Sequence, residues 1–273
     1  MYVASHRSKK ALYATPFLET PSITMRVLLL GATGNVGSRL LPALIQRGHT
    51  VTAMVRDASR LPTGVQRDLF HVEHGDTTKA KAIKGVAMTQ KCDAIVNAAG
   101  AAAVAPWSRS DLPTIIDAVI RAALEIGQER GEPVRLWAFA GIGILDVSPN
   151  HMLVDYFPIA VEHRETLAKF EDLPRESVLW SLLCPSKMMP LAQPEYPVIE
   201  TASVDNLLIS AGAPPQWSNQ YLTVPFIGGF LNVYSQAAGY ISKLENNADL
   251  IARDLLQGAD SPWVGQRVGT KQK

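Results

Sequence analysis

The chain is poor in the features that mark a membrane protein, a disulfide scaffold or a nucleic-acid binder. Its 273 residues include only two cysteines, Cys92 and Cys184, too few for a disulfide framework. No apolar run approaches the roughly 18 residues of a membrane span, and no cysteine–histidine spacing is typical of zinc. A net charge of +1 does not indicate a protein that binds nucleic acid. We therefore expect a cytoplasmic protein without a metal, a membrane or a nucleic-acid partner.

Residues 1–24 differ in composition from the rest of the chain. They carry several basic and hydroxyl residues, and Glu19 is their only acid. This pattern predicts a disordered or loosely docked arm. A mitochondrial transit peptide is the alternative, which the weak amphipathicity of the segment disfavours. We predict that residues 25–273 form a single domain, since this length can bury a large core.

A glycine-rich motif follows the first apolar stretch. Residues 27–30 are apolar and run into Gly31-x-x-Gly34-x-x-Gly37, after which a helical pattern begins. This order of strand, turn and helix start is suited to hold a dinucleotide pyrophosphate. Gly31 permits the tight turn, Gly34 lets the phosphates approach, and Gly37 lets the helix lie close to the strand. A flavodoxin-like turn without a dinucleotide is the alternative.

Strand and helix patterns alternate through the first two-thirds of the chain. Such alternation predicts an α/β fold, a Rossmann-type doubly wound parallel sheet with helices on both faces. We expect a kink or local tightening at Pro42 in the first helix. The expected strands lie near 26–31, 50–55, 69–73, 94–98, 134–140, 178–183 and 263–268. The later helices lie near 77–85, 112–128, 158–171 and 245–256. Residues 185–240, rich in proline, glycine and aromatics, are expected to form most of a small substrate lobe.

The end of the second strand predicts the choice of dinucleotide. An acid there binds the ribose hydroxyl of NAD, whereas arginine accommodates the 2′-phosphate of NADP. Arg56 comes first and Arg60 is near, so we favour NADP(H). Asp57 is interpreted as an N-cap, and Asp76 is placed to meet the adenine side. Small residues at 97–103 leave room for the cofactor.

These motifs together resemble the atypical short-chain dehydrogenase/reductases, in particular their NmrA-like and biliverdin-reductase-B-like branch. The residues that carry the resemblance are Gly31-Ala-Thr-Gly34-Asn-Val-Gly37, residues 51–62, Gly75-Asp76 and residues 93–100, and it covers about 25–190. It implies reduction of small conjugated or aromatic compounds with NADPH, in some members within secondary metabolism. The candidate cofactor-binding residues are Gly31, Thr33, Gly34, Asn35, Val36, Gly37, Arg56, Arg60, Asp76, Asn97, Ala98, Ala99, Gly100, Ala140 and Pro185.

The sequence departs from the short-chain dehydrogenases at the catalytic pair. None of its seven tyrosines is followed by lysine four residues on, and Tyr156 has Ala160 at that position. The serine expected after the fifth strand is also absent. In the biliverdin-reductase-B-like pattern a histidine occupies the next helix, where this chain has His163. The candidate catalytic residues are therefore His163, as a proton donor or a residue lining the cofactor site, and Tyr156 as a pocket hydrogen-bond donor.

Three functions remain open at this point. The first is an NADPH-dependent reductase of an apolar, conjugated or polycyclic molecule, because hydride transfer to such a carbon needs little help from a protein acid. The second is a non-redox isomerase, dehydratase or cyclase, which the missing tyrosine–lysine pair favours. The third is a regulatory protein that binds NADP(H).

Overall fold

An eight-stranded sheet lies at the centre of the fold. The computed structural model describes residues 24–61, 71–100, 110–158, 160–191 and 202–273. Several predicted features therefore lie outside the described residues: most of the N-terminal arm, the start of the third strand, Ala101–Ala103 and part of the substrate lobe. Among the described residues, no helix is both long and apolar enough to span a bilayer.

The sheet has the strand order β3–β2–β1–β4–β5–β8–β12–β10, and only β10 runs antiparallel to its neighbour. This order confirms the predicted doubly wound parallel sheet. Two small sheets pair β6 with β7 and β9 with β11. The strands of the described residues are β1 (Arg26–Leu30), β2 (Thr50–Val55), β3 (His71–His74), β4 (Ala94–Asn97), β5 (Val134–Phe139), β6 (Asp146–Ser148), β7 (His151–Met152), β8 (Val178–Cys184), β9 (Lys187–Met189), β10 (Leu207–Ala211), β11 (Ile241–Lys243) and β12 (Gln266–Gln272).

Helices cover both faces of the sheet. The α-helices of the described residues are α1 (Gly37–Gln46), α2 (Ala80–Thr89), α3 (Leu112–Arg130), α4 (Leu153–Tyr156), α5 (Glu162–Glu171), α6 (Gly228–Ala237) and α7 (Leu244–Asp254). On β1, Leu28 and Leu30 belong to the core cluster that includes residues of α2, α3 and α5, whereas Val27 and Leu29 belong to the cluster that includes residues of α1 and α7. All four side chains are fully buried, as expected of a parallel strand covered on both faces.

Several element boundaries differ from the prediction for local reasons. The second helix begins at Ala80 because Asp76 and the residues after it form a turn. The helix expected at 158–171 begins at Glu162, since Ala160 has a left-handed backbone with φ +52°. The last strand begins at Gln266, after a turn in which Gly265 has φ +72°.

The first helix continues through its proline, and the kink or local tightening expected at Pro42 stays a prediction. α1 runs through Pro42 as one helix. The missing N–H of proline removes a single backbone hydrogen bond. The apolar face of α1, which includes Leu40, Leu41 and Leu44, is fully buried and holds the helix against the sheet.

A buried ion pair lies near the amino edge of the sheet. The Arg135 guanidinium on β5 donates to Asp254 Oδ2 at 2.7 Å, and both residues are 2% exposed. The indole of Trp137 donates to the same oxygen at 2.8 Å, and the Ser261 hydroxyl donates to Oδ1. Because each charge is desolvated, loss of either partner would leave the other uncompensated.

Candidate functional site

The glycine turn after β1 is built by close backbone contacts. Gly31 has φ +80°, and a Cβ placed on it would lie 2.7 Å from the Ala99 nitrogen. A Cβ on Gly37 would lie 2.1 Å from the Gly31 oxygen, so α1 approaches the end of β1 as closely as backbone allows. Gly34 donates its N–H to the Gly31 oxygen at 2.9 Å. Around this turn Thr33 and Val36 are half-buried, Asn35 is exposed, and no side chain caps the start of α1 among the described residues.

The residues predicted to select NADP follow the carboxyl end of β2. Arg56 and Arg60 are both exposed. Asp57 accepts from the Ser59 N–H at 3.0 Å and caps the short 3₁₀ helix 58–60, which confirms its interpretation as an N-cap.

Asp76 lies beside them, at the end of β3. Its Oδ1 accepts from the Thr78 N–H at 2.9 Å and from the Thr78 hydroxyl at 2.8 Å. These hydrogen bonds lower the pKa of Asp76, with a smaller contribution from the charge of Arg56. Asp76 is therefore a carboxylate held at the same edge as the two arginines.

The end of β4 presents a buried polar atom without a partner. Asn97 is 1% exposed, and its Oδ1 accepts from the Ala99 N–H at 3.1 Å. Its Nδ2 has no hydrogen-bond partner among the described residues. Ala98, Ala99 and Gly100 follow it, and Gly100 has φ +91°. A buried amide donor left open beside the glycine turn is a position where a ligand oxygen would be stabilised, because an unsatisfied buried donor costs about 1–3 kcal/mol.

A cavity of about 510 Å³ opens beyond the carboxyl ends of β5 and β8. The strand ends provide its floor with Ala140 and Gly141 from β5 and with Pro185 and Ser186 from β8. The other lining residues come from the segment between β5 and α5, from α5 itself, from β9 and from α6 with the residue after it: Ile142, Gly143, Leu153, Phe157, Ala160, His163, Met188, Val233, Tyr234, Ala237 and Ala238. Most of these side chains are apolar, so the cavity is suited to an apolar ligand.

His163 places an imidazole in the cavity wall. It is 8% exposed and packs so closely on Gly141 that a Cβ there would lie 2.9 Å from its Cδ2. Its Nδ1 is enclosed and has no hydrogen-bond partner among the described residues. Burial lowers the pKa of His163, and the charge of Glu162 offsets only part of that shift. The imidazole is therefore neutral near pH 7.

Tyr156 is placed differently from the prediction. It does not line the cavity described above. Its hydroxyl shares a hydrogen bond of 3.2 Å with the Ser148 Oγ, and its ring stacks on His151. The ring also fills the space beside Gly229 at the start of α6, where a Cβ would lie 2.0 Å away. The contacts of Tyr156 are thus those of a packing residue that supports α6.

The two cysteines are poor nucleophiles. Cys184 at the end of β8 is fully buried, and burial raises its pKa to about 12. Burial also raises the pKa of Cys92 to about 11. Both thiols are therefore protonated near neutral pH and behave as small apolar side chains.

Sequence reasoning missed the helix that covers the cavity. α6 lies in the segment interpreted only as a proline- and aromatic-rich lobe. Val233, Tyr234 and Ala237 line the cavity, and together with Phe230 they stand at i+3, i+4, i+7 and i, which is a helical spacing. Phe157 stacks on Phe230, and Phe230 stacks on Tyr234, each pair 6.0 Å apart, so an aromatic row leads from the cavity to the surface.

The sequence and the fold both match known NAD(P)-dependent proteins. Residues 27–129 match the profile of the NAD dependent epimerase/dehydratase family. The anaerobillin reductase ChuY of Escherichia coli O157:H7 is 16% identical, with 90% of this chain and 97% of that chain covered at a TM-score of 0.56. This chain therefore shares the fold of that reductase.

Two further likenesses concern a cofactor and a reaction. A wide-type short-chain dehydrogenase/reductase of Veillonella parvula in complex with NADP is 12% identical, with 91% of this chain and 95% of that chain covered at a TM-score of 0.54. A 3-diazoavenalumate denitrifying reductase of a Streptomyces species is 63% identical over 38 residues. That match covers 14% of this chain and 12% of the relative, so it spans a small part of either protein.

Proposed function

We propose that this chain is an NADPH-dependent reductase of an apolar, conjugated or polycyclic small molecule. The observation that carries the proposal is the apolar cavity at the carboxyl ends of β5 and β8, on the same sheet edge as the glycine turn. In open α/β sheets, ligands bind outside these strand ends. The aromatic row of Phe157, Phe230 and Tyr234 at the cavity mouth favours a flat, conjugated ligand.

The residues at the turn fit a dinucleotide. Gly34 leaves the turn open, because a Cβ there would meet the Gly31 oxygen at 3.3 Å and no other described atom outside its chain neighbours within 4 Å, so a phosphate can approach the backbone. The Nδ2 of Asn97, which has no partner among the described residues, offers a donor beside the turn. Residues 31–37, 97–100, Ala140 and Pro185 would hold it there. Arg56 and Arg60 favour NADPH over NADH, because two exposed guanidinium groups can pair with a 2′-phosphate. The NADP complex of the Veillonella relative supports this choice.

When bound, NADPH supplies a hydride to an electron-poor carbon. The chain would position the acceptor and exclude water through the apolar wall of the cavity. His163 would hold a proton at Nε2 and donate it as a hydrogen bond to the oxygen or nitrogen that gains negative charge, and water would supply the proton that completes the reduction. Protonation at Nε2 leaves the enclosed Nδ1 as an unsatisfied acceptor, which is less costly than an enclosed N–H.

The relatives' names are consistent with reduction of conjugated compounds. The Streptomyces relative is named a 3-diazoavenalumate denitrifying reductase and the Escherichia coli relative an anaerobillin reductase. We extend the reductase activity to this chain, with a role in secondary metabolism and a cytoplasmic location as further parts of the proposal. A non-redox isomerisation, dehydration or cyclisation is the second candidate, because the matched profile is named for epimerases and dehydratases.

The first test is direct titration with NADPH and NADH, followed by coenzyme fluorescence. Arg56→Ala should weaken NADPH binding by about tenfold or more, the loss of one charge-assisted pair, and leave NADH binding nearly unchanged. Arg175→Ala, an exposed arginine near the opposite edge of the sheet, is the matched control. Equal losses for both coenzymes would contradict the NADPH preference.

The second test separates the two reaction classes. With menadione and cinnamaldehyde as probes, a reductase consumes NADPH in proportion to product, and the product gains two hydrogen atoms. An isomerase or cyclase acting on a ligand recovered from the purified protein would give a product of unchanged mass and consume no NADPH. Absence of NADPH binding by the wild-type protein would overturn both the cofactor and the proposed activity.

A further inference from the structure

A buried ion pair connects α1, the helix that follows the glycine turn, with α7, which packs beside it on the same face of the sheet. Arg39 on α1 lies 3.3 Å from Glu245 on α7, measured between Nε and Oε1. Both residues are 8% exposed. Removing two charges from water is costly, and an apolar pair of similar size would often serve stability as well or better. The pair is therefore a candidate for a role beyond packing.

On one side, the guanidinium holds the turn itself. Arg39 Nη1 donates to the Asn35 side-chain oxygen at 2.7 Å and to the Asn35 backbone oxygen at 2.9 Å. Asn35 stands between Gly34 and Gly37, so these bonds constrain the middle of the glycine turn. An apolar side chain at position 39 would fill the space without fixing this backbone.

On the other side, the same carboxylate holds the cavity wall. Glu245 Oε2 accepts from the Leu191 N–H at 2.8 Å. Leu191 follows β9, whose Met188 lines the cavity. One buried carboxylate is thus bonded both to the arginine that holds the turn and to the segment that leads from the cavity wall.

We propose that Arg39 and Glu245 are positioning residues that hold the glycine turn in its dinucleotide-binding shape and couple it to the segment at Leu191. This inference rests on the proposed function, since it takes the turn to be the dinucleotide site. It adds a link between the coenzyme and the substrate cavity. Neither residue touches the coenzyme or substrate in this role, because each acts through Asn35 or Leu191.

The chain offers a matched control on the same two helices. Arg47 at the end of α1 pairs with Asp249 on α7, with bonds of 2.9 and 2.7 Å to Oδ1. Arg39→Met and Arg47→Met each remove one ion pair between α1 and α7, but only the first contacts the turn. NADPH affinity by coenzyme fluorescence and stability by urea unfolding are measured for both variants. We expect Arg39→Met to weaken NADPH binding roughly tenfold and Arg47→Met to leave it within about twofold.

Amide hydrogen exchange at Leu191 distinguishes coupling to the coenzyme from a role in stability alone, because a residue that only stabilises the fold would not make this exchange depend on NADPH. In the wild-type protein, NADPH should slow exchange of this amide, and Glu245→Gln should abolish most of the slowing while the protein stays folded. If Arg39→Met does not fold, Glu245→Gln is judged by the same NADPH titration. The inference alone would be overturned if the two methionine variants weakened NADPH binding equally, or if NADPH did not change the exchange rate of the Leu191 amide. A wild-type protein that does not bind NADPH would overturn the proposed function and this inference with it.

Discussion

Alanine substitutions at Gly34 and Gly37 should separate the folding role of the glycine turn from its binding role. A Cβ at position 37 would lie 2.1 Å from the Gly31 oxygen and 2.7 Å from the Gly31 carbon. These are backbone atoms that cannot rotate away. Helix α1 would have to recede from β1 by more than an ångström to restore ordinary contact, which would disturb the fully buried side chains between them.

The expected magnitude follows from overpacking. Forcing α1 outward should cost about 3 kcal/mol, the upper range for an added methyl group in a tight core. For a chain of this length, that cost corresponds to a fall in Tm of about 6–12 °C. At position 34 the new Cβ would lie 3.3 Å from the Gly31 oxygen, a contact that a small shift can relieve. Gly34→Ala should therefore melt within about 2 °C of the wild type and yet bind NADPH much more weakly.

Gly85 supplies the control for a glycine without such a role. A Cβ there meets no atom within 4 Å, and Gly85 lies inside α2. Gly85→Ala should raise stability by about 0.5–1 kcal/mol and leave NADPH binding unchanged. Scanning calorimetry and NADPH titration of the three variants decide the matter. A Gly37→Ala protein as stable as the wild type would refute the close-contact argument, and a Gly34→Ala protein with wild-type affinity would refute the phosphate site at this turn.

Three further outcomes are expected. Gly141→Ala should displace the imidazole of His163, whose Cδ2 would lie 2.9 Å from the new Cβ. Loss of its hydrogen bond should lower turnover of a reducible probe about tenfold with NADPH affinity intact, and unchanged turnover would remove His163 from the hydrogen-bond-donating role. Stability in urea should fall as the pH drops below 6.5, the ordinary histidine pKa. Burial lowers the folded-state pKa of both His49 and His163, so the unfolded chain binds more protons than the folded one in this range. A free energy of unfolding that stays constant between pH 7.5 and 5.5 would contradict this. Asp254→Asn should lower the free energy of unfolding by about 3–5 kcal/mol, because it leaves the buried Arg135 guanidinium unpaired. Asp205→Asn, in an exposed pair, is the control and should change it by less than about 1 kcal/mol. Similar losses of stability in urea unfolding would argue against the buried pair.

Elements with a strong local pattern could be predicted from the chain alone. The strand at 50–55 has the bounds that were predicted, and the helix from Leu112 was expected at its observed start. Asp57 caps a turn two residues away, a contact that depends on neighbours in sequence. The glycine turn could also be predicted, because its glycines directly follow the apolar stretch in the sequence. Local sequence carries these features because the interactions that form them span only a few residues.

The placement of the candidate site depended on contacts that the sequence does not display. Arg39 and Glu245 are 206 positions apart, and nothing in either neighbourhood marks them as partners. The helical spacing of α6 was present, but only the fold shows that it covers the ends of β5 and β8. Tyr156 was expected at the pocket, and packing against Gly229 directs it elsewhere.

The sequence by itself therefore determined the parallel sheet, the dinucleotide-type turn and the basic residues after the second strand. Only the tertiary structure decided that His163 is enclosed against Gly141, that the Asn97 amide has a donor without a partner in the described part of the chain, and which side chains line the cavity. The physical reason is the distance along the chain over which each interaction acts. Periodicity and capping act between residues near in the chain, whereas a cavity and its buried charges arise where distant segments pack.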